Sequence, residues 1–234
     1  MTAIYKRELK SYFDSMIGYV FIAFVTAFTG IYFMVYNLFN GYPYFSYSLG
    51  STFTIMLLAI PVLTMKCFAE ERKMKTDQML LTAPVSLTKI VLGKYLAMMT
   101  VYAGPTLIFC ICPLIIKANG TAYLFSDYMT IITYFLVGGV FVSIGMLISS
   151  LTESQIIAAV GTFGVMFLLI LWQNLLQFLP TAVRGVLSKV DVMAPFENFA
   201  YNQVFDVTGW IAYISVIAVC IFLTVQSLAK RRWS

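Results

Sequence analysis

Histidine is absent from the 234 residues, which removes the usual general base near neutral pH and the commonest metal ligand. Charge is scarce as well: 11% of the residues are charged and 61% hydrophobic, where a soluble domain has about 25% and about 45–50%. A water-soluble fold is excluded. The four cysteines, Cys67, Cys110, Cys112 and Cys220, lie in or beside apolar runs with no CxxC pair. They read as small core residues, neither a metal site nor a redox centre. There is no GxxxxGK[ST] phosphate loop and no GxSxG, so the chain brings neither an ATP cradle nor a hydrolase nucleophile elbow.

What is present is a succession of apolar runs, each near the 20 residues that cross about 30 Å of hydrocarbon. They fall at about 17–38, 49–65, 95–116, 128–150, 156–176 and 208–228. The expectation is an all-α, polytopic membrane protein with six transmembrane helices in one domain over 1–234. Residues 1–16 precede the first span, 17–65 hold spans one and two, and 66–94 form a charged link. Spans three to five occupy 95–176, a mixed segment covers 177–207, span six covers 208–229, and 230–234 is a short tail. None of the six runs, so bounded, contains a charged residue. That counts against a proton-coupled carrier or an ion pump.

The formal charge of +5 is accounted for by topology. With six spans and the N-terminus inside, twelve cations face the cytoplasm: Lys6, Arg7, Lys10, Lys66, Arg72, Lys73, Lys75, Lys89, Lys94, Lys230, Arg231 and Arg232. Three, Lys117, Arg184 and Lys189, face outward. With the acids included, the inner side carries +6 and the outer side −1, as the positive-inside rule demands. No nucleic-acid partner is needed to explain the basicity.

In the first sixteen residues, Tyr5, Leu9, Tyr12, Phe13 and Met16 recur at helical spacing, with Lys6, Arg7, Glu8, Lys10 and Asp14 on the other arc. This predicts an amphipathic interfacial helix. The apolar run that follows is too long for a cleaved signal peptide. The most patterned stretch is KCFAEERKMKTDQMLLTAPVSLTKIVLGKYLA, from Lys66 to Ala97. Good helix formers fill 70–82, Pro84 stops that helix, and Ser86 is placed to cap a second one running into span three. The expected result is a cytoplasmic helical elbow that a soluble motor can push.

This loop resembles that of the ABC type-2 transporter permeases, and the gliding-motility-associated branch in particular. The likeness extends to KRELKSYFDSMIGYVFIA, SSLTESQIIAA and PFENFAYNQVFD. It implies a six-span permease subunit that pairs with a second permease, identical or homologous, and with two ABC ATPase subunits that bind ATP and Mg, exporting a substrate across a bacterial inner membrane with both termini cytoplasmic. By position, Glu70, Glu71, Arg72, Thr76, Leu80, Leu81, Pro84, Ser86, Gly93 and Lys94 would shape the coupling elbow. Ser149, Glu153 and Gln155 would give a second cytoplasmic contact, and 177–207 would be short re-entrant outer helices. No catalytic residue, metal site or substrate-binding residue is implied. Lys75 and Asn202 stand where glycine is expected.

Three further features complete the reading. Pro61, Pro105 and Pro113 fall within spans two and three as hinge or packing kinks. Gly139, Ser143, Gly145 and Ser149, with Gly161 and Gly164, offer close helix contact. Gln173, Asn174 and Gln177 lie at the outer end of span five. The rival functions are an intramembrane hydrolase, which lacks a base or paired acids, and an assembly protein that docks a cytoplasmic partner without transport.

Overall fold

Apolar runs of this length have to satisfy their backbone internally in a bilayer, and the helix does so within one segment. The computed structural model describes residues 2–75, 86–177, 191–202, 204 and 206–232, and among these every regular element is helical. Helix α1 spans Thr2–Asp14 and α2 Ile17–Phe33, the latter prolonged by a π-helix at Met34–Phe39. Next come α3, Ser46–Thr64; α4, Ala69–Lys73; α5, Leu87–Phe109; α6, Cys112–Asn119; and α7, Leu124–Leu151. The chain ends with α8, Gln155–Ile170; α9, Trp172–Leu176; α10, Ala194–Ala200; and α11, Val207–Arg232.

Five helical stretches among the described residues are long and apolar enough to cross a membrane: Ile17–Phe39, Ser46–Lys73, Leu87–Asn119, Leu124–Leu151 and Val207–Arg231. The run expected at about 156–176 is divided. Its α8 has 16 residues, about 24 Å at 1.5 Å per residue. A break at Leu171 separates it from α9.

Helices α3 and α7 form the centre, with 67% of each apolar window buried, while the first and last spans are only 28% and 22% buried. Tyr102 of α5 and Tyr134 of α7 stack with centroids 6.0 Å apart, and Phe53 of α3 meets Tyr134 at 5.1 Å. The backbone of α7 at Gly138 lies directly under the Tyr102 ring, where a Cβ would collide with it. Likewise Gly145 admits Thr64 of α3. The small residues of α7 thus serve contacts inside this chain.

Helix α1 starts a face that also carries α4 and the α7–α8 link, called here the α1 face. Helix α11 runs parallel to α7 towards that face. Trp210 Nε1 donates to Thr133 Oγ1 at 2.9 Å, and further along Ile217 lies by Gly139. The residues of α10 sit at the opposite face, where Phe196 meets Phe53 at 4.6 Å and Tyr201 meets Tyr47 at 5.5 Å.

Three expectations need correction, and a fourth, for α1, gains a protein contact. Charge does occur in the spanning helices: α5 begins early enough to include Lys94 and α7 to include Asp127, both 1% exposed. Hydropathy windows stop at a charge, whereas a helix continues through one that is satisfied. Asp127 is satisfied in part by accepting the Phe45 N–H at 2.9 Å, which caps α3. Pro113 lies within the stretch Leu87–Asn119, as expected, but does not kink a continuous helix; α5 ends at Phe109 and Pro113 stands in the first turn of α6, a position where the missing N–H costs nothing. The helix expected over 70–82 is interrupted, since α4 stops at Lys73 and Lys75 takes a left-handed φ of 56°; its part over 76–82 lies outside the described residues. Finally, α1 does not simply lie on lipid. Its apolar side packs on α5, with Tyr5 Oη 3.0 Å from Thr100 Oγ1 and Ile4 against Gly93.

A charged platform on the α1 face as the candidate functional site

The link after α3 folds back on the end of α7. At the start of α4, Phe68 offers no side-chain cap. The cap comes instead from Ser149 of α7, whose hydroxyl accepts the N–H of Phe68 at 3.1 Å and of Ala69 at 3.2 Å and donates to the Met65 carbonyl at 3.3 Å. A helix start would otherwise leave these donors unsatisfied. One turn later Arg72 reaches back, donating to the Ser150 carbonyl at 3.3 Å and to Glu153 at 3.0 Å. A cation there also suits the negative end of α7. The two loops, far apart in sequence, therefore form one surface.

Beneath that surface lies a buried cluster. Lys94 stands two turns into α5 with 2% of its side chain exposed. Its ammonium donates to the Cys67 carbonyl at 2.9 Å and to Glu71 at 2.9 Å, and it lies 3.2 Å from Glu8 of α1. The Phe68 ring closes one side, its centroid 5.1 Å from Nζ. Arg7 bridges Glu8 and Glu71, the latter at 3.3 Å. With Arg7, 56% exposed along its side chain, the two cations and two carboxylates cancel, which is the condition for holding Lys94 and its acids away from water. The hydrogen bond to Glu8 holds the Arg7 guanidinium above its ordinary pKa, against the opposing effect of burial. Beside the cluster, burial pushes the Tyr12 hydroxyl up, so it stays a donor to the Leu63 carbonyl at 3.3 Å.

The residues expected in the coupling elbow thus divide by role. Glu71, Gly93 and Lys94 are turned inward: Gly93 sits so close to Ile4 that an added Cβ would lie 3.2 Å from its Cγ2. Arg72 is the strut between loops, and Glu70 lies 3.9 Å from Lys66. Ser86 occupies the N-cap position of α5, yet its hydroxyl makes no cap bond and pairs with Thr88 at 3.4 Å. Thr76, Leu80, Leu81 and Pro84 lie outside the described residues. Of the second contact, Ser149 is buried, Glu153 is 76% exposed along its side chain, and Gln155 opens α8. Lys73, Met74 and Lys75 form an exposed edge beside α4.

Sequence reasoning left Glu8 and Arg7 on a solvated arc of α1 and did not join them to Lys94. The only available signal was Gly93, a residue small enough for close approach. The side chain of Gln173 lies outside the described residues, Asn174 and Gln177 are exposed, and Asn202 has an ordinary backbone. Among the described residues, no group of three or more Cys, Asp or Glu is placed to hold a metal ion.

The family described as ABC-2 family transporter protein matches residues 3–225. No curated protein matches the chain. A match over nearly the full length, on an all-helical chain with five membrane-length helices, places this protein in the ABC-2 transporter family as a multi-pass membrane protein.

Proposed function

We propose that the chain is the permease subunit of an ATP-driven exporter, of the gliding-motility-associated kind, moved by separate ATPase subunits that press on the α1 face. One observation carries this reading: the α3–α5 link and the α7–α8 link are fastened into a single platform by Ser149 and Arg72. A push on a slack loop would be absorbed locally. A push on this platform passes to α3 and α7, the two central helices, and through Lys94 to α5 and α1. Lys73, Met74, Lys75 and Glu153 are the exposed residues for the contact, and Thr76, Leu80, Leu81 and Pro84 complete it by resemblance.

Six crossings fit this role. Helix α8 starts on the α1 face at Gln155, α10 sits at the opposite face, and α11 runs back parallel to α7. The α8–α9 stretch is then the fifth span, and both termini share the basic, cytoplasmic side of a bacterial inner membrane. Two copies, or this chain with a homologous partner, would enclose the pathway, consistent with the exposed sides of the first and last spans. ATP and Mg are bound by the ATPase subunits.

The test is made on the complex purified from its native membranes. Met74→Cys and Glu153→Cys are expected to crosslink to a nucleotide-binding subunit, and Arg72→Ala to lower vanadate-sensitive ATP hydrolysis by about tenfold, or 1.4 kcal/mol. Full hydrolysis in Arg72→Ala with no crosslink at either position would instead favour a membrane assembly protein that docks a partner without transport.

A further inference from the structure

The antiparallel pair α2–α3 is closed at one end and open at the other. Near the opposite face, Thr29 and Thr52 meet through their hydroxyls at 3.2 Å and Phe33 meets Phe45 at 5.9 Å. Continuing that register towards the α1 face puts Phe24 opposite Leu58 and Val20 opposite Val62. There the helices do not close. They border a cavity of about 280 Å³, lined also by Met16, Phe21 and Ala59.

The elbow explains the gap. Met16 joins α1 to α2 in a left-handed conformation, φ 59°, and α1 leans on α5 through Ile4 and Tyr5. Tyr12 of α1 reaches α3 at the Leu63 carbonyl, and no residue of α1 lines the space between α2 and α3. Met16, Val20, Leu58 and Val62 at its border are 70%, 63%, 55% and 46% exposed. The lining from Ile17 to Phe24 lies within about 10 Å of the start of α2 at 1.5 Å per residue, which is inside the nearer leaflet of a hydrocarbon core about 30 Å thick.

We infer that this cavity binds one acyl chain of a phospholipid from the leaflet bordering the α1 face. The lining offers carbon almost throughout. Its one hydroxyl, Ser15, already donates its proton to the Tyr12 carbonyl at 3.3 Å, so an acceptor on a ligand finds no side-chain donor in the lining. One turn of a helix of a second copy, about 10–12 Å across with side chains and about 5.4 Å high, exceeds the cavity's volume of about 280 Å³, while an unbranched chain enters it from the side. Lys66 follows Val62 by one helical turn, 28% exposed and only 3.9 Å from its acid, Glu70. It stands at headgroup level to meet a phosphate. Asp14, exposed beside the elbow, disfavours a second phosphate contact on the α1 side of the opening. This site is separate from the platform and stands whether or not an ATPase drives the chain.

The test uses the full chain in nanodiscs of phosphatidylethanolamine and phosphatidylglycerol, doped with phosphatidylglycerol carrying a diazirine on one acyl chain. After irradiation, label is expected to concentrate on residues 17–24 and 58–62, above the level at outward-facing Phe222 of α11, 59% exposed. Ala59→Phe and Val20→Trp, each filling the cavity, should reduce that label to the Phe222 level. Lys66→Gln should lower labelling by the phosphatidylglycerol probe more than labelling by a phosphatidylcholine probe, whose choline cation offsets its phosphate. If Ala59→Phe fails to fold, Val20→Trp at its exposed position carries the test. Equal label at Leu58 and Phe222, label that survives both filling variants, or a Val62→Cys disulfide between two copies would overturn the assignment. ATP hydrolysis plays no part in the readout, so either result leaves the proposed function untouched.

Discussion

At the scale of single residues, the feature with the greatest consequence is Lys94. An ammonium removed from water is stable only while its carboxylates are in place, and the carboxylates depend equally on it. Lys94→Met should therefore destabilise the chain by about 3–5 kcal/mol, read as a lowered melting temperature of the purified protein. The triple variant Lys94→Met, Glu8→Gln, Glu71→Gln, which leaves no buried charge unpaired and only Arg7, 56% exposed along its side chain, without its acids, should recover much of the loss; no recovery would mean that the cluster acts through shape alone. Lys75 gives a prediction of the opposite sign. Its φ of 56° is costly for a side chain with a Cβ, so Lys75→Gly should raise stability by about 1 kcal/mol. The family resemblance marked this position as one where glycine is expected, and a left-handed backbone is what glycine adopts at no steric cost. It gave no hint of the Lys94 partners, because a lysine beside a glycine at a helix start looks the same whether it faces water or two carboxylates.

At the scale of elements, α4 exists because α7 completes it. Five residues are too few for a helix to hold itself, and its first donors end on Ser149. Ser149→Ala should cost about 1 kcal/mol and appear as faster amide exchange at Phe68 and Ala69, with the spans unaffected. The crossing of α5 and α7 is set differently, by an absence of side chain. Gly138→Ala would push a methyl into the Tyr102 ring, for a loss of about 1–3 kcal/mol by overpacking. Periodicity and hydropathy located these helices well in their interiors. They placed the ends less well: α5 and α7 run on through Lys94 and Asp127, and α4 is shorter than its composition suggested. Helix ends are decided by caps, and here the caps of α3 and α4 come from residues about 80 positions away.

At the scale of the whole molecule, the order of crossings is the quantity to measure. If α8 and α9 together cross, cysteines placed at Lys73, Glu153 and Lys230 should react with an impermeant thiol reagent from one side, and one at Lys117 from the other. Reaction of the Lys230 position from the Lys117 side would leave five crossings. The chain's membrane class and its helical build were set by composition and pattern, because burial in hydrocarbon leaves a sequence few options, and its family was legible in the resemblance of a few quoted segments. Which helices sit at the centre, how two distant loops become one platform, where Lys94 finds its acids and where α2 and α3 part to leave a cavity were decided by tertiary structure alone. Each of these depends on contacts between residues far apart along the chain, and a local pattern records only that a residue is small, charged or apolar.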